Sequence, residues 1–202
     1  MNRLRPQIIS ILFISILLFS FDIPDGWIQM GSKPSSYEMS TDAGTGIDGK
    51  TAATIKSIDK KINGFVTLMQ NFAPRDYLGK RLRMTGYMKT LQVKENASFW
   101  LRVDGASKTF LAFDNMVDGS NKRPIFGTTD WTKYEIVVDV PFNSTNISFG
   151  AQLSGTGQIW FDNIQFEIVD ESVPVTGWIN NTDSENTQLK LPINLDFESP
   201  KK

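Results

Sequence analysis

The 202-residue chain contains 40% hydrophobic and 21% charged residues, and its 21 basic side chains nearly balance 22 acidic ones. These proportions are typical of a globular domain, and they exclude wholesale disorder, a multi-span membrane protein and a strongly basic nucleic-acid binder. Cysteine and histidine are both absent, which excludes disulfides, thiolate metal sites, cysteine nucleophiles and every Ser-His-Asp triad.

The first 21 residues have the pattern of an export signal or a membrane anchor. Arg3 and Arg5 precede an uncharged, mostly apolar stretch from Pro6 to Phe21. Because this stretch is shorter than the roughly 20 residues that cross a bilayer as a helix, a cleaved signal peptide is favoured. No small-x-small triplet precedes Asp22, so an uncleaved anchor stays open. We expect a secreted or extracytoplasmic protein that touches the membrane only through residues 6–21.

The next segment, residues 22–170, predicts one domain made of β-strands. Apolar and polar residues alternate in short runs that Gly, Asn, Asp and Pro interrupt, and no run has a convincing helical period. The predicted strands are Gly26 to Met30, Tyr37 to Thr41, Thr51 to Ile58, Phe65 to Phe72, Arg81 to Leu91, Ala97 to Val103, Thr109 to Phe113, Lys133 to Val140, Asn146 to Leu153 and Gln158 to Val169. Ten short strands in one domain indicate a β-sandwich or a barrel.

Residues 171–202 form a polar tail in this prediction. The run from Asn180 to Asn186 is too polar to contribute to a core. Apolar alternation returns at Ile193, Leu195 and Phe197, so a strand at residues 191–198 is expected to dock back on the sandwich.

An ordered series of short motifs resembles a known group of domains. The series consists of Gly26-Trp27, Gly31-Ser32, Tyr37-Glu38, Leu68-Met69-Gln70, Gly79-Lys80-Arg81, Trp100-Leu101-Arg102-Val103-Asp104, Phe113-Asp114-Asn115-Met116, Arg123-Pro124-Ile125, Gly127-Thr128-Thr129-Asp130-Trp131, Ile147-Ser148-Phe149-Gly150 and Gly155-Thr156-Gly157-Gln158-Ile159-Trp160-Phe161-Asp162. It is similar to the galactose-binding-like, carbohydrate-binding-module-like jelly-roll domain found in bacterial AraC-type transcriptional regulators and beside secreted peptidases and carbohydrate-active enzymes. The resemblance implies an all-β jelly-roll sandwich of about ten antiparallel strands.

The chain departs from related carbohydrate-binding jelly rolls in the placing of one segment. Those domains often open with an Asn-x-x-Phe-Glu strand, whereas here Asn194 to Glu198 lies near the C-terminus. Related folds hold a structural calcium ion between the opening Glu and an Asp on the last strand, which corresponds to Asp162. The resemblance therefore leaves a structural calcium possible, and it implies no other cofactor.

Three side chains on one predicted strand face are the first candidates for a ligand site. Trp100 offers an aromatic platform, Arg102 a planar donor and Asp104 an acceptor, which together suit a saccharide. The alternative is structural, with Trp100 packed under a loop and Arg102 paired with Asp104 or Asp114.

Further candidates come from other predicted strands and one loop. Tyr87, Lys89 and Gln152 are expected to line the same cleft, unless they are only solvated surface. Asp114 and Asn115, followed by Arg123, are expected at the mouth of the cleft, or else as residues that form a turn.

The sequence thus predicts a non-catalytic, exported module that binds carbohydrate or another small polar ligand, with no nucleic-acid partner. The alternative is a sensor or protein-interaction domain related to the ligand-sensing part of bacterial regulators. A glycan hydrolase is a weaker third hypothesis, in which two carboxylates among Asp104, Asp114 and Asp162 would have to converge. Trp27 and Trp131, which begin strands, are expected in the core.

Overall fold

A computed structural model describes residues 23–106, 110–119, 121–179 and 192–198 of the chain. The predicted export or anchor segment lies outside these ranges and stays a prediction. Within them, no helix is both long enough and apolar enough to span a bilayer.

The described chain is built from ten β-strands and two single 3₁₀ turns. The strands are β1 (Ile28–Gly31), β2 (Tyr37–Ala43), β3 (Thr51–Ser57), β4 (Phe65–Phe72), β5 (Lys80–Gly105), β6 (Phe110–Asp114), β7 (Ile125–Val140), β8 (Ser144–Ser154), β9 (Gln158–Val169) and β10 (Trp178–Ile179). The 3₁₀ turns cover Pro34–Ser36 and Arg75–Tyr77. All pairings between these strands are antiparallel, as the jelly-roll prediction requires.

The strands form two packed layers that share the long strand β5. The first layer, here called the front sheet, has the order β1-β4-β8-β5-β6-β10 and uses residues 96–105 of β5. The second, the back sheet, has the order β2-β3-β9-β5-β7 and uses residues 80–91 of β5. The fold is therefore an all-β sandwich in which one strand passes from one layer to the other.

The sequence prediction treated this shared strand as two, Arg81 to Leu91 and Ala97 to Val103. The structure joins them because the residues between them bend without ending the strand. Gln92 has a φ of 53°, and the register against β7 shifts on both sides of it. Such bulges add twist and let a strand turn a corner while its pairing continues.

The core fills the space between the two layers with alternate residues of every long strand. Leu101, Phe149 and Leu68 face inward from the front sheet, and Met88 and Phe161 face inward from the back sheet, each with no accessible surface. Trp27 is also buried there, as expected, with its ring centroid 5.5 Å from that of Phe149. The prediction for Trp131 is wrong, because its side chain is only partly buried and lies on the outside of the back sheet.

The described C-terminal residues 192–198 dock on the sandwich as an extended, bent segment rather than as a strand. Phe197 is 2% exposed, and its ring packs 5.1 Å from Trp27 and 5.2 Å from Phe161. The buried amide of Gln70 donates to the Ile193 carbonyl at 2.6 Å and accepts from the Ile193 N–H at 3.1 Å. This segment therefore supplies both an aromatic side chain to the core and the hydrogen-bond partners of an inward-facing polar group.

Candidate functional site

The outward side of the front sheet, here called the front face, is unusually polar. On β8 the outward residues are Asn146, Ser148, Gly150, Gln152 and Ser154, while Ile147, Phe149, Ala151 and Leu153 alternate with them in the core. On β5 the outward residues are Asn96, Ser98, Trp100, Arg102 and Asp104. Since paired strands place these residues side by side, the front face brings together Trp100, Arg102, Asp104 and Gln152 from the predicted site.

Arg102 lies at the centre of a hydrogen-bonded network on this face. Its Nε is 2.9 Å from Asp104 Oδ1, and its Nη2 donates to Asp104 Oδ2 at 3.0 Å. Asn146 Nδ2 donates to the same Asp104 oxygen and to Ser148 Oγ, both at 2.8 Å. Asp104 is 8% exposed at its side chain and Arg102 is 33% exposed, so the carboxylate fixes the guanidinium while leaving part of it accessible.

Three aromatic rings form a shelf beside Arg102, here called the aromatic shelf. Phe113 on β6 pairs with Arg102, and Trp178 on β10 pairs in turn with Phe113. The guanidinium carbon of Arg102 lies 4.9 Å from the Phe110 ring centroid, and Trp178 packs edge-on against Phe113 at 5.9 Å. Trp178 remains 39% exposed, which makes it the accessible aromatic surface next to the Arg102 network.

Trp100 has a different place from the one expected of a stacking platform. It is 7% exposed, and its Nε1–H donates to Thr67 Oγ1 at 2.7 Å. Strand β8 lies between β5, which carries Trp100, and β4, which carries Thr67. Gly150 is the β8 residue that pairs with Trp100. The indole therefore reaches across β8 at the one outward position without a side chain, and Trp100 forms part of the floor of the front face.

The front face also holds every buried side-chain oxygen that lacks a hydrogen-bond partner among the described residues. These atoms are Asn96 Oδ1, Ser98 Oγ and Asn146 Oδ1. Buried polar atoms in proteins are nearly always hydrogen-bonded to protein, water or ligand. All three atoms belong to outward residues of β5 and β8, so the front face is polar beneath its accessible surface as well.

Tyr87 and Lys89 do not share this face, so the prediction of one common cleft is wrong for them. Both belong to the part of β5 in the back sheet, where Tyr87 pairs with Asp162 and Lys89 pairs with Trp160. The change of layer within β5 separates them from Arg102. Alternation along a strand shows which residues share one side of it. It does not show which of the two sheets that part of the strand belongs to.

Asp114 and Asn115 form the turn that the sequence left as the alternative, and Arg123 makes an ion pair with Asp114 that the sequence did not predict. Asp114 is 2% exposed at its side chain, and its Oδ2 accepts a hydrogen bond from Arg123 Nη2 at 2.7 Å. Asn115 Oδ1 accepts hydrogen bonds from the backbone of Val117 and Asp118. Asp114 pairs with the core residue Leu101, so its carboxylate is not on the front face.

The C-terminal segment brings Glu198 near Asp162, the residue that the resemblance associates with a structural calcium ion. Asp162 Oδ2 accepts the Ile47 N–H and Oδ1 accepts the Asn163 N–H, while Glu198 Oε1 accepts the Thr51 N–H. Burial raises the pKa of Asp162, and nearby Asp48 and Glu198 raise it further. The described residues contain no group of three or more acidic side chains placed to hold a metal ion.

Two parts of the front face were missed by the sequence analysis. Asn146 and Ser148 alternate with the core residues in step with the predicted Gln152, and this pattern was the signal that could have added them to the site. Trp178 was assigned to the polar tail because a two-residue strand after a loop leaves no periodic pattern.

This architecture is that of the galactose-binding-like jelly roll, the fold of carbohydrate-binding modules, as the resemblance implied. No family model matches the chain. The chain superimposes on the CBM22-1 xylan-binding domain from Paenibacillus barcinonensis Xyn10C with a TM-score of 0.50 and 13% identity, covering 75% of this chain and 92% of that one. It also superimposes on the enzymatically active domain of bacteriophage CBA120 tailspike protein 4 with a TM-score of 0.54 and 12% identity, covering 75% and 20% of the two chains.

A much closer similarity in sequence links the chain to a bacterial regulator. It is 48% identical over 174 residues to the uncharacterized HTH-type transcriptional regulator YbfP of Bacillus subtilis. The match covers 86% of this chain and 56% of the regulator, so the chain spans little more than half the length of that relative.

Proposed function

We propose that the chain is a non-catalytic module that binds a saccharide on its front face. The observation that carries the proposal is the partly exposed Arg102 guanidinium, fixed by Asp104 and lying over Phe110 of the aromatic shelf, whose exposed Trp178 is one strand further along the same face. Jelly-roll neighbours that are carbohydrate-binding modules support the same class of ligand.

The two halves of this arrangement match the two surfaces of a sugar ring. An indole packs against the apolar C–H face of a sugar, and a guanidinium donates to its hydroxyl oxygens in fixed directions. Because Asp104 compensates the charge of Arg102, the front face favours a neutral saccharide over an acidic one.

The same geometry favours binding over hydrolysis. Glycoside hydrolysis commonly requires two carboxyl groups about 5–9.5 Å apart across the scissile bond. Asp104 is the one carboxylate in the front-face network of described residues, and it is engaged by Arg102 and Asn146. Asp114 is paired with Arg123 away from that face, and Asp162 belongs to the back sheet.

Replacing Trp178 by alanine is expected to weaken saccharide binding at least about tenfold, because it removes the accessible face of the aromatic shelf. The full chain would first be screened on an array of neutral glycans, and the affinity for the best ligand would then be measured by calorimetry. Trp131→Ala on the back sheet is the matched control and is expected to bind as the wild type does. A folded Trp178→Ala protein with unchanged affinity would contradict the proposal.

A second function is favoured by the regulator relative. The 48% identity to YbfP suggests a sensor or protein-interaction domain of a regulator-like protein. The array separates the two proposals: if the folded chain binds no glycan, saccharide binding is overturned and protein interaction becomes the leading function.

A further inference from the structure

The outer side of the back sheet carries a second aromatic and charged surface, which the front-face proposal does not use. The ammonium group of Lys89 lies 4.7 Å from the Trp160 ring centroid and 5.4 Å from that of Trp131. Asp42 Oδ2 accepts the Trp160 Nε1–H at 2.8 Å and so fixes one of the indoles. A shallow depression of about 340 Å³ opens beside Lys89 and Trp160, and Thr128 and Thr129 contribute to its lining.

A second depression continues this surface toward the end of the sheet. It measures about 410 Å³, and three lysines, Lys56, Lys60 and Lys94, contribute to its lining. Leu91 lines both depressions, so they adjoin each other. We call the two together the back groove.

Strand pairing makes the back groove one continuous track. Lys89 pairs with Trp160, and two residues further along the same strands Leu91 pairs with Gln158. Gln158 pairs in turn with Lys56 on β3. A step of two residues along a strand is about 7 Å, which is comparable to the length of one sugar unit.

The cations of the back groove have no acidic partners of their own. Among the described residues, no carboxylate oxygen lies within 4.0 Å of the ammonium groups of Lys56, Lys60, Lys89 or Lys94. The arginines on the same sheet differ, since Arg81 pairs with Asp139 and Arg83 pairs with Glu167. The lining of the two depressions holds four lysines and two acidic residues, Asp59 and Asp130, so the back groove has an excess of positive charge.

We infer that the back groove binds an anionic polysaccharide, one whose sugar units carry carboxylate or phosphate groups. A sugar ring packs against Trp160 or Trp131, the Lys89 ammonium pairs with its acidic group, and Lys56 and Lys94 meet the acidic groups of the following units. This site is distinct in position and in charge from the neutral front face.

The test measures binding of the full chain to polygalacturonate, to a phosphorylated mannan and to neutral xylan in low salt. The double variant Lys56→Gln/Lys94→Gln removes two exposed lysines of the groove without touching the core. We expect this variant to bind the preferred anionic polymer about tenfold more weakly and with a shallower dependence on salt. The two anionic polymers distinguish a carboxylate ligand from a phosphate ligand, and preference for either supports the inference.

The matched control is Lys80→Gln/Lys122→Gln, which removes two exposed lysines outside the groove and is expected to bind as the wild type does. Equal weakening by both double variants, or none by the groove variant, would overturn the inference. Failure to bind either anionic polymer would also overturn the inference. The same holds if a single-stranded oligothymidylate binds more tightly than both anionic polymers. Trp178→Ala is expected to leave this binding unchanged, so failure of the front-face proposal and failure of this one give different results.

Discussion

Replacing Phe197 by alanine is expected to lower the free energy of unfolding by about 3–5 kcal/mol, the usual range for a buried phenylalanine. Phe197 is 2% exposed between Trp27 and Phe161, in the segment that also satisfies the buried amide of Gln70. Loss of the ring leaves a cavity in the core and weakens the attachment of residues 192–198. The expected change therefore includes both lost burial and a polar group left without partners.

Urea unfolding of the full chain, followed by tryptophan fluorescence, measures this effect. Phe142→Ala is the matched control, because that ring is 82% exposed and its removal is expected to change the stability by less than about 0.5 kcal/mol. If Phe197→Ala were as stable as Phe142→Ala, residues 192–198 would not be part of the folded domain.

Arg123→Met is expected to cost about 3–5 kcal/mol of stability, because it leaves the buried Asp114 carboxylate without its counter-ion. Asp114 is 2% exposed at its side chain, and two of its contacts are charge-assisted bonds from Arg123. The same guanidinium also donates to the Glu135 carbonyl on β7, so it joins the end of β6 to a neighbouring strand.

The double variant Arg123→Met/Asp114→Asn identifies the cause of this loss. Asparagine is uncharged and keeps an oxygen that can accept the Met116 N–H, so the double variant should be more stable than Arg123→Met by at least about 1 kcal/mol. Arg75→Met, at an exposed position, is expected to leave urea unfolding unchanged. A double variant no more stable than Arg123→Met would show that the guanidinium acts through packing, not through charge.

The fold was predictable to a large extent because strand periodicity is a local property. Alternation in residues 65–72 and 146–153 gave strands that match β4 and β8 closely, and the motif series gave the jelly-roll class. Local patterns could not show that residues 81–91 and 97–103 are one strand, because a bulge at Gln92 has the same composition as a loop.

The candidate site was predictable only in part, because a site depends on which strands become neighbours. Arg102 and Asp104 lie two residues apart on one strand, so their pairing follows from the sequence alone. Trp178 reaches Phe113 through a pairing 65 residues apart in the chain, and nothing local indicates it. For the same reason Lys89 was assigned to the cleft of Arg102, although the corner in β5 places it beside Trp160 on the other sheet.

Binding of a neutral saccharide to the front face would be visible in the indole N–H signals of the nitrogen-15 NMR spectrum of the labelled chain. The five tryptophans divide by position: Trp178 and Trp100 on the front face, Trp131 and Trp160 on the back sheet, and Trp27 in the core. On titration with the best neutral glycan from the array, we expect the Trp178 signal to shift most while those of Trp131 and Trp160 stay in place. Shifts confined to Trp131 and Trp160, with Trp178 unmoved at saturation, would contradict binding at the front face.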